Sequence, residues 1–325
     1  MEKELLKVSD LTTHFFMTDG IVHAVDGIDL SIDKNKSVGL VGESGSGKSV
    51  TALSILRLVP LPGKTLSGSI LFKGKDLLKI NEDEMRKIRG SNIAMVFQDP
   101  FTFLNPIMKV KNQIAEMLIT HKTRMNITGK KDVEEHVMSL LNQMRIPSAE
   151  AVKEYYPHQL SGGMRQRVVL AIALACNPDM IILDEPTTAL DVTTQIQILE
   201  LLKQLKREKN VTIMLITHNL GIVAELCDKV YIMYAGQIQE SGNVYDIFDD
   251  PKHPYTSGLI DNVLSIDEYR PVMSYIEGNI PNMMNPPSGC RFHPRCSYTK
   301  EICKEKRPGD LQVGDDHFTN CWLHS

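Results

Sequence analysis

The sequence predicts an α/β fold, in which a mixed, largely parallel core sheet carries helices on both faces and is interrupted by a helical insert. Three observations lead there. Short apolar runs of strand length alternate with helical patterns, a glycine-rich loop directly follows one of those runs, and periodicity fades beyond about Pro251. At 325 residues the chain exceeds the usual single-domain size, so one large domain with smaller appendages is expected.

From Leu5 to Val41 the pattern is strand-like, with alternation from Ala24 to Ile32 and a polar turn at Asp33 to Lys36. Ser37 to Val41 reads as a buried strand entering the glycine-rich loop, and a helix is expected from Lys48 until Pro60 and Pro62 stop it. In the middle, Val133, Val137, Leu140, Leu141 and Met144 fall at helical spacing without a strong strand, which predicts an inserted helical subdomain over 100–158. Strand-like runs return at Met180–Leu183, Val211–Thr217 and Lys229–Met233. The core is therefore expected over 1–99 and 159–250, with an antiparallel N-terminal portion. A C-terminal extension, rich in Pro, Asn, Gly and Cys, occupies 251–325 and needs something other than a large apolar core to hold it.

The balance of 36 Lys and Arg against 40 Asp and Glu gives a net charge of -4, which argues against broad attraction to nucleic acid. The N-terminus lacks the apolar core of a signal peptide, and apolar stretches such as Val168–Cys176 are too short to cross a bilayer. A cytoplasmic chain is expected, whose membrane role would come through partner subunits. In that compartment six cysteines are not expected to form structural disulfides.

Gly42-Glu43-Ser44-Gly45-Ser46-Gly47-Lys48-Ser49 fits the phosphate-binding pattern G-x-x-x-x-G-K-[ST]. Its glycines let backbone N–H groups close around phosphate oxygens, and the following helix start adds a positive dipole. Lys48 is expected to reach the β- and γ-phosphates of ATP, and the Ser49 hydroxyl to hold Mg²⁺. Asp184 and Glu185 emerge from the apolar run Met180–Leu183, at the strand end where such sheets bind ligands. Asp184 would organise the metal and Glu185 would polarise the attacking water.

Leu160-Ser161-Gly162-Gly163-Met164-Arg165-Gln166-Arg167 supplies a second phosphate-binding helix start, for which one chain has little use. Here the sequence resembles the ATP-binding cassette family, a P-loop NTPase class whose signature is LSGGQ; Met164 departs from the usual Gln. The resemblance implies that Ser161, Gly162 and Gly163 cover the γ-phosphate on a partner's loop, so that two cassettes sandwich two ATP molecules. It also implies roles for Gln98, matching the Q-loop glutamine at the metal and water, for Ala189-Leu190-Asp191, matching the D-loop, and for His218, matching the switch histidine at the γ-phosphate. An aromatic near the N-terminus should stack on adenine; Phe15 fits best, before the Asp19-Gly20 turn, with Phe16 one residue away.

The C-terminal stretch, with His253-Pro254-Tyr255-Thr256 and Pro286 to Cys296, looks like the extension of oligopeptide, dipeptide and nickel importer ATPases. That resemblance implies a D-type subunit, at the cytoplasmic face of the membrane, partnered by an F-type ATPase, two transmembrane permeases and an extracytoplasmic binding protein, without nucleic acid. Cys290, Cys296, Cys303 and Cys321 could supply four thiolates to Zn²⁺ or an iron–sulfur cluster, and spacing alone leaves the metal undecided. Similar D-type subunits carry a [4Fe-4S] cluster there, making this a small metal-binding extension. Cys176 and Cys227 lie in apolar helical contexts and read as core residues. Competing readings are a soluble cassette ATPase for iron–sulfur assembly, an importer of nickel or glutathione from the same family, and a metal-finger nucleic-acid ATPase, the last disfavoured by charge.

Overall fold

In the computed structural model, which describes residues 4–98, 103–188, 190–264 and 276–325, the chain forms two compact units. One comprises Met1–Lys79 with Leu215–Ser325, the other Ile80–Met214.

The first unit opens with β1 (Glu4–Met17) and β2 (Gly20–Asp33), an antiparallel pair turning at the Asp19-Gly20 step. Leu6 and Val8 alternate inward, and a register shift between Val8 and Leu11 turns Leu11 inward as well, so one apolar row survives a break in the period of two. β3 (Ser37–Val41) is buried along its whole length, as its unbroken apolar run requires. α1 (Lys48–Ile55) follows the glycine-rich loop. It stops at Ile55, short of the prolines expected to end it, because Arg57 takes a left-handed φ of 53° and the Leu58 N–H bonds back to the Leu53 carbonyl at 2.8 Å. β4 (Gly63–Phe72) and β5 (Lys75–Asp76) complete an antiparallel sheet in the order β2-β1-β4-β5.

The second unit contains α2 (Glu82–Ile88), capped by the Asn81 side chain, and β6 (Ile93–Val96). Between 103 and 159 the described residues form helices, among them α3 (Val110–Thr120) and α4 (Lys130–Gln143). Val137, Leu140 and Leu141 of α4 are buried, as is Met144 just beyond it, while Val133 in the first turn is only half-buried, so the packed face covers four of the five positions read from the spacing. α5 (Gly162–Leu174) is buried continuously from Val168 to Leu174 and ends before Pro178. β7 (Met180–Asp184) pairs in parallel with β6, Ile93 opposite Met180 through Val96 opposite Leu183. α6 (Val192–Lys209) then leads into β8 (Thr212–Thr217), along which the chain leaves this unit.

Back in the first unit come α7 (Leu220–Leu226), β9 (Lys229–Tyr234), β10 (Gln237–Asn243), α8 (Val244–Asp249) and α9 (Pro254–Leu264). β9 pairs in parallel with β3 and antiparallel with β10. The tail adds β11 (Leu311–Gly314) and β12 (His317–Thr319), and β12 pairs with β10 through Glu240 opposite Thr319. The sheet that carries the phosphate loop is thus mixed, and the C-terminal extension is stitched to it by main-chain pairing. Polar burial reinforces that seam. Glu240 accepts from the Lys252 and His253 N–H groups at 2.7 and 2.8 Å and lies 2.7 Å from His317 Nε2.

Candidate nucleotide site and cysteine segment

The loop between β3 and α1 is shaped by glycines that admit no side chain. A Cβ on Gly42 would stand 2.0 Å from the Met233 carbonyl oxygen. One on Gly47, whose φ is 106°, would stand 2.3 Å from the Ala24 carbonyl oxygen. Ser44, Gly45 and Ser49 are exposed and Ser46 is buried. Lys48 is 6% exposed; its Nζ donates to the carbonyl oxygens of Gly42 at 2.7 Å and Glu43 at 2.8 Å, which holds the ammonium within the curve of the loop. A buried cation inside a turn of backbone N–H groups at a helix start is a site for an anionic polyphosphate.

The same unit holds Phe15 and His218. Phe15 is half-buried on β1, opposite Val22 on one side and Gly63 on the other, and its ring would meet a Cβ on Gly63 at 2.7 Å. Phe16 turns outward and is 42% exposed. His218 follows β8 directly and is exposed, while Asn219 caps α7 by accepting from the Ile222 N–H.

In the second unit, Asp184 ends β7 and is 5% exposed. Glu185 adopts a left-handed φ of 50°, rare for a side chain of its kind, and accepts from the Thr188 hydroxyl at 2.9 Å. Gln98 is exposed just beyond β6. Ser161 caps α5, its Oγ accepting from the Met164 N–H at 3.3 Å, so the hydroxyl and the following N–H groups form an open helix start. That start meets the next one, since a Cβ on Gly163 would lie 2.7 Å from Thr194 Cγ2. Thr194 in turn donates to the Asp191 carboxylate through its N–H at 2.9 Å and its hydroxyl at 2.7 Å, capping α6 and holding that carboxyl below the usual range. Leu190 and Asp191 are therefore seated against the signature segment; Ala189 lies outside the described residues.

The four late cysteines come together. Cys290, Cys296, Cys303 and Cys321 line one small cavity walled by Phe292 and Trp322, and none is disulfide-bonded. Each sulfur has an N–H against it: that of Phe292 at Cys290, Tyr298 at Cys296, Leu323 at Cys321, and Lys300 at Cys303, the last at 3.5 Å. Burial pushes the Cys290 thiol up to about 11 and raises Cys296 and Cys321. Cys176 is a different case. It is fully buried and raised to about 11 by burial alone against a weaker opposing pull from Arg124.

Contacts from the extension to the phosphate loop had no signature in the sequence. Arg295 grips the Glu43 carboxylate with two bonds, 2.9 and 3.2 Å, and the Glu43 N–H donates to Tyr255 Oη at 3.0 Å. Arg291 bonds Asp26 and the Ala235 carbonyl, next to Gly236, whose N–H donates to the Ser46 carbonyl at 2.8 Å. Glu43 stands 252 positions from Arg295 and 212 from Tyr255, and Asp26 stands 265 from Arg291, beyond the reach of any local pattern.

Comparison with known proteins agrees with this geometry. Residues 25–188 match the family described as ABC transporter, and residues 239–303 match the oligopeptide/dipeptide transporter, C-terminal region. The chain is 46% identical over 324 residues to the dipeptide transport ATP-binding protein DppD of Bacillus subtilis (strain 168), covering 99% of this chain and 95% of the relative. It is 46% identical over 304 residues to the oligopeptide transport ATP-binding protein OppD of Escherichia coli (strain K12), covering 94% and 89%. Among solved structures it is similar, with a TM-score of 0.66 and 28% identity, to the dimeric post-hydrolysis state of the ATP-binding cassette MJ0796 bound to ADP and Pi, over 74% of this chain and 98% of that one.

The chain belongs to the ABC transporter family, as an ATP-hydrolysing, nucleotide-binding subunit with the P-loop cassette fold. Within that family its C-terminal third places it with the oligopeptide and dipeptide transport ATP-binding proteins.

Proposed function

We propose that this subunit powers import of di- or oligopeptides, and that the observation carrying the reading is the pair of open phosphate-binding helix starts, at Lys48 and at Gly162, in a chain whose tail matches the peptide-transporter extension. Two such starts per chain suit a head-to-tail pair of cassettes, and a dimeric cassette stands among the structural neighbours. The partners on this reading are a second, F-type ATPase, two permeases and an extracytoplasmic binding protein. No helix among the described residues is long and apolar enough to cross a membrane, which suits a peripheral position on the cytoplasmic face.

In this mechanism the Gly42–Ser49 loop binds the triphosphate through backbone N–H groups, and Lys48 neutralises charge developing on the γ-phosphoryl group. Ser49, Asp184 and Gln98 would hold Mg²⁺, which when bound supplies charge neutralisation across the phosphates. Glu185 orients and polarises the attacking water, and His218 contacts the γ-phosphate. Phe15 stacks on adenine. Ser161, Gly162, Gly163 and Asp191 serve the site whose loop the partner supplies. We assign the core to 1–99 and 159–250, the helical insert that contacts the permeases to 100–158, and the extension to 251–325.

The four cysteines fit a [4Fe-4S] cluster, with a role in holding the extension together. Cys290, Cys296, Cys303 and Cys321 line one cavity, and four thiolates gathered there would hold such a centre. An N–H against every sulfur suits thiolates bound to a metal centre.

Co-purification from membranes tests the transport reading: two multi-span permeases and a second cassette should travel with this chain. Recovery of the chain with soluble partners alone, and peptide uptake undiminished in Glu185→Gln cells, would sink it. Anaerobically purified protein should contain about four irons and four acid-labile sulfides per chain. Stoichiometric zinc without sulfide would refute the cluster.

A further inference from the structure

We infer that Arg295 is a positioning residue for the phosphate loop, and that through it the cysteine segment sets the affinity of this subunit for nucleoside triphosphate. The inference rests on the nucleotide reading of the loop and adds to it a control element contributed by the tail.

Glu43, the second residue of the loop, is an anion beside a site for a more highly charged one. Left alone, its carboxylate would repel the phosphates and would be free to turn toward the N–H groups that should bind them. Arg295 prevents both. Its fork meets both carboxylate oxygens, and its side chain is 7% exposed against 28% for Glu43, so the pair is shielded from water and salt on the arginine side. The Arg295 guanidinium is itself held, donating from Nε to the Glu277 carbonyl at 2.8 Å and from Nη2 to the Ile276 carbonyl at 3.1 Å, with the Tyr234 ring 5.6 Å away. The grip is continuous with the loop's interior, because the carbonyl of Glu43 accepts from Lys48 Nζ and its N–H bonds the fully buried Tyr255. Tyr255, Tyr234 and Phe292 pack as a trio with ring centroids 4.7 to 5.3 Å apart, and Phe292 also walls the cysteine cavity.

What places Arg295 is the cysteine segment. It ends the turn His293–Arg295, directly before Cys296, and that turn is tied to Cys290 by the His293 N–H at 3.0 Å. The Cys290 N–H in turn bonds the Cys303 carbonyl at 2.8 Å. Loosening the four-cysteine cavity therefore loosens the turn, and with it the guanidinium that restrains Glu43. Those ties, with Phe292 packed on Tyr234 and Tyr255 at the start of the turn, fix where Arg295 leaves it.

The test is binding of Mg–ATP to the full chain by calorimetry, with the KM for ATP and kcat measured in the assembled transporter. Arg295→Gln should weaken ATP binding about tenfold, the scale of one lost charge-assisted bond, and raise KM with little change in kcat. Arg295→Lys should fall between, keeping the charge without the fork. Glu43→Gln/Arg295→Gln should recover most of the affinity, since the unrestrained anion is gone, and damage to the tail alone would not produce that rescue. Cys303→Ser should weaken ATP binding in the native background and add little in the double variant. Lost binding in Lys48→Ala beside wild-type affinity in Arg295→Gln would overturn this inference and leave the nucleotide site standing. A double variant as weak as Arg295→Gln would overturn it as well, and unchanged binding in Lys48→Ala would overturn both.

Discussion

In the roles proposed for them, Lys48 and Glu185 separate two tasks that a single loss of activity would confuse. Lys48 lies inside the loop among backbone acceptors, so Lys48→Ala removes the cation proposed to neutralise phosphate and should weaken ATP binding itself. Glu185 is held in a left-handed backbone at the end of a buried strand, with Thr188 on its carboxylate. Glu185→Gln should leave binding intact, lower kcat by about a hundredfold or more, and trap an ATP-bound dimer; nucleotide titration beside single-turnover hydrolysis checks the pair. Equal loss of binding in both variants would contradict the division. Gly47 makes a third case at this scale. A methyl there faces a positive φ and the Ala24 oxygen, so Gly47→Ala should cost about 1–3 kcal/mol of stability, read by urea unfolding, and reduce ATP binding as well.

Among the elements, α5 and α9 show how helix starts divide between ligand and structure. Ser161 satisfies one N–H of α5 and leaves the start open to solvent, so a bulky cation there should obstruct a partner's nucleotide without touching the chain's own loop. Ser161→Arg is expected to preserve ATP binding to the isolated chain and to abolish hydrolysis in the site that the partner's loop completes. Normal hydrolysis by the assembled pair would exclude the composite arrangement. α9 begins differently, with a buried histidine. His253 Nδ1 accepts from the Tyr255 N–H at 3.0 Å, and burial, with a smaller contribution from His324, lowers its pKa to about 3. It stays neutral in the fold while the unfolded chain protonates near 6.5, so the unfolded state binds more protons as pH falls. The stability contributed by His253 is complete above 6.5 and declines toward pH 3, by at most about 1.4 kcal/mol per pH unit. Urea titrations at pH 7 and 5 should show this slope, reduced in His253→Asn, which keeps an acceptor near the Tyr255 N–H.

For the whole molecule, the extension combines a few buried apolar side chains, Tyr255, Ile260 and Phe292, with extensive polar anchoring. It is joined to the core unit by β12 on β10, by Glu240 with His317 and the 252–253 backbone, and by Arg291 and Arg295 on Asp26 and Glu43. Removing the cluster proposed for the four cysteines with a chelator under reducing conditions, or by Cys303→Ser, should expose the tail to protease at sites beyond residue 276 and leave the second unit, 80–214, protected. A tail that stays resistant would show that the anchors suffice without the metal.

Much of this was legible in the order of residues. The P-loop, the carboxylates after an apolar strand and the signature serine are local devices. Each needs only a strand end or helix start, and the hydrophobic period that builds those elements lies within a dozen neighbouring positions. The same holds for the packed face of α4, while the capping of α6 by Asp191 came only with the structure. The end of α1 was not legible, because the left-handed turn at Arg57 is a backbone choice that no residue type there announces. Nor was the meeting of four cysteines from 290 to 321 at one cavity decided by their uneven spacing. Above all, only the tertiary structure tied Glu43 to Arg295 and Tyr255. Charge pairs and hydrogen bonds carry no period in sequence, so which of 36 basic side chains would neutralise a loop carboxylate is settled only when strand pairing brings the tail to it.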